Sequence, residues 1–445
     1  MPVDAPAPVV ATSLPPRGSR LPGLVQTLVY GKFRHRVLPR AQRRHGDLFT
    51  LKLAQFGKTV VVVADPEQML RVFTGPDTAF HGGEGNAVLA PAMGTRSMLV
   101  LDEDEHKRMR RLVLPAFSGA ALRGYREMVV GIAAGEVAVW PVGKPFSGHR
   151  RMQELTLDVI VRVVFGITDQ ARLAEMRPLV RAIAAIGPIT LLGLSDRRLR
   201  GFGPWRTFRA VQQRLDELLY AEIAERRRSA DLSGRTDVLS RLLHAGADDA
   251  AGGGLSDAEL HDQLITLLLA GHETTAAALA WALHELARRP EYCARVRQAA
   301  LADDDDYLTA VAKETLRIRP VVFEVARTLA EPVELGEYRL PAGVSVMPAI
   351  GLSLAAPRYY PDTTEFRPER FLTDDLPATA WLPFGSGGRR CIGAGFALME
   401  IVGVLKAVLR DHDLAPDRPA RERARVRSVT LVPRRGARIV LTPRR

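Results

Sequence analysis

Phe384-Gly385-Ser386-Gly387-Gly388-Arg389-Arg390-Cys391-Ile392-Gly393 sets one cysteine at the end of a glycine-rich turn, where a helical pattern over 392–410 begins. A thiolate there gains from the free N–H groups and positive dipole end of a helix N-terminus, which lower its pKa. Gly387, Gly388 and Gly393 let backbone amides approach the sulfur where a Cβ would obstruct them. Arg389 brings a planar guanidinium, suited to a carboxylate, two residues from the sulfur. A thiolate, a carboxylate clamp and Phe384 as an apolar lid suit a haem whose iron takes sulfur as axial ligand. The same residues also allow a buried structural cysteine ahead of a helix, the commoner fate of a lone thiol.

A second stretch breaks local rules. Ser256-Asp257-Ala258-Glu259 is a capping-box pattern, and the helix it opens can run to Arg289, where Pro290 stops it. That is roughly 50 Å of helix, enough to cross a domain. Residues 264–270 and 276–283 are almost wholly apolar, so the helix is expected to be buried all round. Its middle nevertheless reads Ala270-Gly271-His272-Glu273-Thr274-Thr275. Glycine costs about 1 kcal/mol inside a helix, and threonine hydroxyls compete for backbone carbonyls. Such a breach at the centre of a buried helix points to a site; a kink with internally satisfied polar groups is the plainer alternative. A transmembrane reading fails, because His272 and Glu273 fall at the midpoint.

The pattern Phe384-x-x-Gly387-x-Arg389-x-Cys391-x-Gly393 resembles the haem-binding signature of the cytochromes P-450. Ala270–Thr275 is similar to that family's oxygen-activation groove, and Glu314-Thr315-Leu316-Arg317 to its Glu-x-x-Arg pair. Phe366-Arg367-Pro368-Glu369-Arg370-Phe371 resembles the later partner segment. These motifs stand in the family's order and, with His106-x-x-x-Arg110, cover nearly the whole chain. Leu354-Ala355-Ala356-Pro357 departs from the pattern, lacking the polar residues usual upstream of the later segment.

The resemblance implies a mainly α fold with small β regions, with haem between the long central helix and the helix after the Cys loop. It implies haem (heme b, iron protoporphyrin IX) held by Cys391 as thiolate and metal ligand. Arg389, His106, Arg110 and Arg327 would reach the propionates, with Phe384 beside the ring. Thr274 and Glu273 would be the catalytic alcohol and the acid that relays protons. Glu314, Arg317 and Arg370 would form a buried structural network. Val321, Phe323, Glu324, Ala270 and Thr430 would border the substrate, within a pocket drawn from 87–98, 183–194, 267–274, 321–325 and 429–431. Glu324 would be costly there unless paired, and an arginine is the expected partner. His272 is expected to face away from the haem.

The implied reaction is hydroxylation of an apolar small molecule such as a terpenoid, steroid or fatty acid, with O2 and electrons from NAD(P)H through ferredoxin reductase and ferredoxin. Arg390, Lys406 and Arg410 would offer an acidic ferredoxin a basic face. A peroxide-driven peroxygenase or an isomerase on the same haem is the alternative; a basic binding protein without haem is the remote one.

Composition agrees with an ordinary globular protein, 47% hydrophobic and 25% charged over 445 residues. The net charge is +12, and lysine supplies only seven of the 62 basic residues. No basic stripe interleaved with aromatics supports nucleic-acid binding. The two cysteines give no disulfide framework, and Cys293 reads as an exposed helix start, so a reducing compartment is expected. The proline-rich residues 1–23 read as a flexible arm without the apolar core of a signal peptide or anchor, and 24–445 as one domain. A cytoplasmic monomer is the expectation. Strands are expected at 47–53 and 59–63, an irregular loop at 82–98, and a flexible connector at 245–254. Residues 303–306 read as a solvated acidic run and 426–441 as a hairpin around Gly436.

Overall fold

The computed structural model describes residues 13–54, 58–167, 169–186, 193–194, 198, 202–229, 231–247, 254–373 and 375–443. Its longer helices in chain order are α1 (Gly23–His45), α2 (Pro66–Thr74), α3 (Glu103–Val113), α4 (Gly119–Ala138), α5 (Gly148–Phe165) and α6 (Gln170–Ala184). There follow α7 (Gly203–Arg227), α8 (Val238–Ala247), α9 (Asp257–Ala287), α10 (Pro290–Leu301), α11 (Asp305–Ile318) and α12 (Ala394–Leu409). The strands are β1 (Leu48–Leu53), β2 (Lys58–Val63), β3 (Phe80–His81), β4 (Phe146–Ser147), β5 (Arg327–Leu329) and β6 (Val333–Leu335). The rest are β7 (Tyr338–Leu340), β8 (Ser345–Pro348), β9 (His412–Pro416), β10 (Ala424–Arg427), β11 (Thr430–Pro433) and β12 (Arg438–Pro443).

The element that positions everything else is α9. Ser256 accepts from the Glu259 N–H while Glu259 reaches back to the Ser256 N–H, so both halves of the capping box form. Leu264, Leu268, Leu279 and Leu283 are wholly buried against α5, α7, α11 and α12. Full burial of each is worth about 1.5–3 kcal/mol. Long and apolar enough to span a bilayer, α9 lies inside this core instead.

The main sheet has the order β1-β2-β8-β5-β3. Val60, Val61, Val62 and Val63 of β2 have no exposed surface, because β2 pairs antiparallel with β1 and parallel with β8. The expected arm is tied down from residue 13 onward: the Thr50 N–H donates to Pro16 O and the Gly18 N–H to Thr50 O. Residues 1–12 of that arm lie outside the described residues.

Other expectations need correction or refinement. The C-terminal hairpin is β10–β11, turning at Ser428-Val429; past Gly436 the chain leaves as β12 to pair with β9 and β4. Cys293 is buried in the core at 4% exposure rather than sitting on the surface. The acidic run is largely solvated as read, with Asp303, Asp304 and Asp306 exposed, but Asp304 also caps α11 by accepting from the Tyr307 N–H and Asp305 pairs with Lys406 and Arg126. The loop at 82–98 contains the short helices Gly82–Gly85 and Ala90–Met93. Of the expected connector at 245–254, α8 takes the start, and 248–253 lie outside the described residues.

Candidate functional site

The Cys loop is shaped by one close approach. Gly387 has φ +66°, and a Cβ there would sit 2.0 Å from the carbonyl oxygen of Phe73, so only glycine fits. The Cys391 N–H donates to Phe384 O at 2.9 Å, closing the turn, and α12 begins three residues after the cysteine. Facing this turn is the middle of α9. A cavity of about 330 Å³ separates them, with Cys391 and Phe384 on one wall and Ala270, Gly271 and Thr274 on the other. Ala270, Gly271 and Thr274 carry open surface in the middle of a helix that is mostly buried beyond its first turn, because they face this cavity. The plainer alternative of a kink does not hold, because α9 runs unbroken across 257–287.

Cys391 has free surface for the same reason, yet it lies deep among protein atoms. Burial pushes its thiol up, against the Gly393 N–H, Arg390 and Arg110, which pull it down. The lowered pKa expected from the helix terminus is therefore not what the protein alone provides. Desolvation outweighs the dipole here, and a bound cation would have to reverse it.

At one end of the cavity stand His106, Arg110, Arg327 and Arg389. Arg389 donates to Asp102 at 2.6 Å and to Leu101 O, in space left by Gly82, where a Cβ would meet its Cδ at 2.6 Å. Arg110 donates to Arg390 O at 2.7 Å. Burial, then the neighbouring Arg389, lowers Arg327 to about 10. Burial, then Arg389 and Arg110, lowers His106 to about 4. The His106 Nδ1 and Arg389 Nε atoms are buried without a hydrogen-bond partner among the described residues. Three guanidiniums and a neutral His106, with Asp102 on Arg389 the only carboxylate bonded to them among the described residues and with N–H capacity left over, suit an anion. Haem carries two propionates at one edge of an apolar ring, so these residues fit it.

The Thr274 hydroxyl donates to Ala270 O at 2.6 Å, within reach of the cavity. Glu273 points the other way. It accepts from Gln153 Nε2 at 2.6 Å and lies 3.4 Å from His149 and 3.5 Å from Arg427, whose side chain is partly exposed on β10. Burial alone would raise the Glu273 carboxyl, but His149, Arg427 and Gln153 together bring it below its ordinary value. His272 also faces away, with Nε2 3.0 Å from Gln153 O.

Glu314, Arg317 and Arg370 meet behind the site. Arg317 grips Glu314 at 2.7 and 2.9 Å and donates to Thr363 O and Glu365 O, while Arg370 approaches Glu314 at 3.3 Å. None of the three lines the cavity, so they anchor the 354–370 segment on α11. The atypical Leu354–Pro357 stretch takes part through its backbone: Leu354 O lies 3.5 Å from Arg317, and Ala356 O accepts from the Tyr360 N–H.

Three expected pocket residues lie elsewhere. Glu324 is held by Arg34 at 2.9 Å and Tyr30 at 2.8 Å, and Phe323 packs in the core between α1 and the main sheet. Thr430 is buried, donating to Arg427 O. The 321–325 segment turns Val321, Val322 and Val325 to the cavity, which sends Phe323 and Glu324 to its back. Of the expected pocket stretch 183–194, residues 187–192 lie outside the described residues.

The sequence reading missed what fixes the 94–102 wall. Asp262 accepts from the Arg96 N–H, Gln263 from the Met98 N–H, and Thr266 donates to Ser97 Oγ. Polar residues in the otherwise apolar α9 were the available signal. Asp102 reads as an N-cap of α3 but instead accepts from the Gly83 and Glu84 N–H groups while holding Arg389.

Comparison with known proteins agrees with this geometry. A family model described as Cytochrome P450 matches residues 15–438. The chain is 44% identical over 440 residues to "Putative cytochrome P450 135A1" of Mycobacterium tuberculosis, covering 99% of this chain and 97% of that protein. It is 45% identical over 432 residues to "Putative cytochrome P450 135B1" of Mycobacterium bovis, covering 96% and 91%. A solved structure, retinoic acid-bound cyanobacterial CYP120A1, superposes with a TM-score of 0.86 at 24% identity, covering 98% of this chain and all of the other.

Proposed function

The chain belongs to the cytochrome P450 family and is a haem monooxygenase, and from that premise we propose that it hydroxylates a largely apolar small molecule with Cys391 as the thiolate ligand. The balanced reaction takes substrate C–H, O2, two electrons and two protons to the alcohol and water. The observation that carries the proposal is one apolar cavity with Cys391 on one wall, Thr274 on the other and His106, Arg110, Arg327 and Arg389 at its edge.

Bound haem supplies the activation of O2, with the thiolate raising electron density at the metal. The protein's own groups do the rest. Arg389, Arg327 and Arg110 would neutralise the propionates, a neutral His106 would donate a hydrogen bond to them, and Phe384 would lie against the ring. The Thr274 hydroxyl, released from Ala270 O, is a proton donor facing the reacting space. Glu273, held on the far side of α9 beside His149 and the partly exposed Arg427, would take a proton from solvent and deliver it to Thr274 only by turning toward the cavity. Val321, Val322, Val325 and Leu267 exclude water and select an apolar skeleton, terpenoid, steroid or fatty acid. Electrons come from NAD(P)H through a ferredoxin reductase and an acidic ferredoxin; Arg390 and Arg410 are exposed for docking, whereas Lys406 is taken by Asp303 and Asp305.

The reduced carbonyl complex tests the ligand. Wild type and Cys293→Ala should show the strongly red-shifted Soret band of thiolate ligation, and Cys391→Ala should lose it. Retention of that band in Cys391→Ala would reject Cys391. A spin-shift screen tests the substrate class: shifts given only by strongly polar compounds, never by lipophilic ones, would reject the apolar reading.

A further inference from the structure

The first half of α1 is built inside out. Its inward face carries polar side chains, each bonded. Gln26 accepts from the Lys52 N–H, Thr27 from the Ala54 N–H, and Tyr30 and Arg34 share Glu324. Its outward face carries Leu24, Val25 and Leu28, at 70%, 40% and 58% exposure, with Leu21 just before the helix at 51%. At 100° per residue these four and Lys32 fall within one arc of about 100°, opposite Gln26, Tyr30 and Arg34. A surface helix ordinarily shows the reverse pattern, so this apolar row is left for something outside the chain.

Charge says what that is. Residues 13–45 contain no aspartate or glutamate, and besides the buried Arg34 they carry Arg17, Arg20, Lys32, Arg36, Arg40, Arg43 and Arg44. Beyond the bend at Phe33, Arg36 and Arg40 join Arg421 and Arg423 around an open groove floored by Trp281 and Leu431. None of those four arginines meets a carboxylate within ion-pair distance among the described residues. Leucines flush with the surface and flanked by unpaired cations match an anionic lipid bilayer, apolar below and negatively charged above.

We propose that α1 docks the enzyme peripherally on anionic membranes, with Leu21, Leu24, Val25 and Leu28 entering the interface and the flanking arginines on the headgroups. The inference is independent of the substrate reading. The holoenzyme should co-sediment with phosphatidylcholine vesicles containing phosphatidylglycerol, and weakly or not at all with phosphatidylcholine alone. Salt should weaken binding, because the headgroup contacts are exposed. Leu24→Ser/Leu28→Ser should lose about tenfold or more in partitioning, with an unchanged melting temperature and haem spectrum. Leu24→Trp should add a blue-shifted emission on anionic vesicles only. Absence of wild-type binding, or equal binding by the double variant, overturns the proposal. So does a wild-type dimer that the double variant splits, since the face would then cover a second copy.

Discussion

Single residues decide how polar groups survive inside this protein. Burial alone would lower His261, but hydrogen bonds to Asp216 at 2.8 Å and Asp262 at 2.9 Å outweigh it and raise it to about 9. The ring also stacks on Tyr220 at 4.7 Å, so it ties α7 to α9. A folded pKa above the unfolded one, ordinarily near 6.5, stabilises fully below pH 6.5 and loses that contribution as pH rises through 9. His261→Gln should therefore cost about 2 kcal/mol near pH 6, discounted because its partner Asp216 is partly exposed, and almost nothing near pH 10. Urea unfolding at both pH values checks it; a constant difference would show that the ion pairs do not matter. Thr274→Ala belongs to the same scale. Its loss should leave NAD(P)H consumption running while product per electron falls, with peroxide as the leak; equal coupling in both proteins would count against a proton-donating Thr274.

At the scale of elements, α9 shows where sequence is legible and where it is not. Its capping box, its length and the oddity of 270–275 all follow from local chemistry, and the structure has the helix as read. Why position 271 is glycine does not follow. The answer is Ile160 of α5, whose Cδ1 would lie 2.7 Å from an alanine Cβ. Gly271→Ala gains about 1 kcal/mol of helix propensity but incurs an overpacking cost of about 1–3 kcal/mol, so a small net destabilisation is expected. Ile160→Val in the Gly271→Ala background should recover part of it, and because Ile160 also lines the cavity, ligand spin shifts should change in both. A Gly271→Ala protein more stable than wild type would mean that α5 yields freely. The C-terminal hairpin was misread for a related reason. Gly436 does turn the chain, but β12 passes over the neighbouring hairpin to pair with β9 and with β4, the latter far away in sequence. Strand pairing over such distances leaves no local mark, and neither does the choice of which side of 321–325 faces the cavity. Motif residues are legible because their chemistry is local; for Glu324 the need of an arginine is legible but not which one, and Phe323 is not legible, because Arg34 and Tyr30 hold that segment from nearly 300 residues away.

For the whole molecule, the net charge of +12 is unevenly used. Many arginines are consumed by carboxylates, as Arg317, Arg226 and Arg389 are. Near the Cys loop, Arg390 and Arg410 remain exposed, while Lys406 and Arg126 are occupied by Asp305. A ferredoxin approaching the thiolate side would therefore meet a smaller basic face than the sequence suggests. Exposed charges steer encounter over about 8 Å at physiological salt, and they act on association rate more than on affinity. Electron transfer from an acidic ferredoxin should slow about tenfold between low and high ionic strength. Arg390→Glu/Arg410→Glu should slow it severalfold at low salt and little at high salt, whereas Lys406→Gln should have a minor effect. Stopped-flow reduction under carbon monoxide reads each rate directly. Rates indifferent to salt, or a Lys406 effect larger than that of the two arginines, would place the docking face elsewhere.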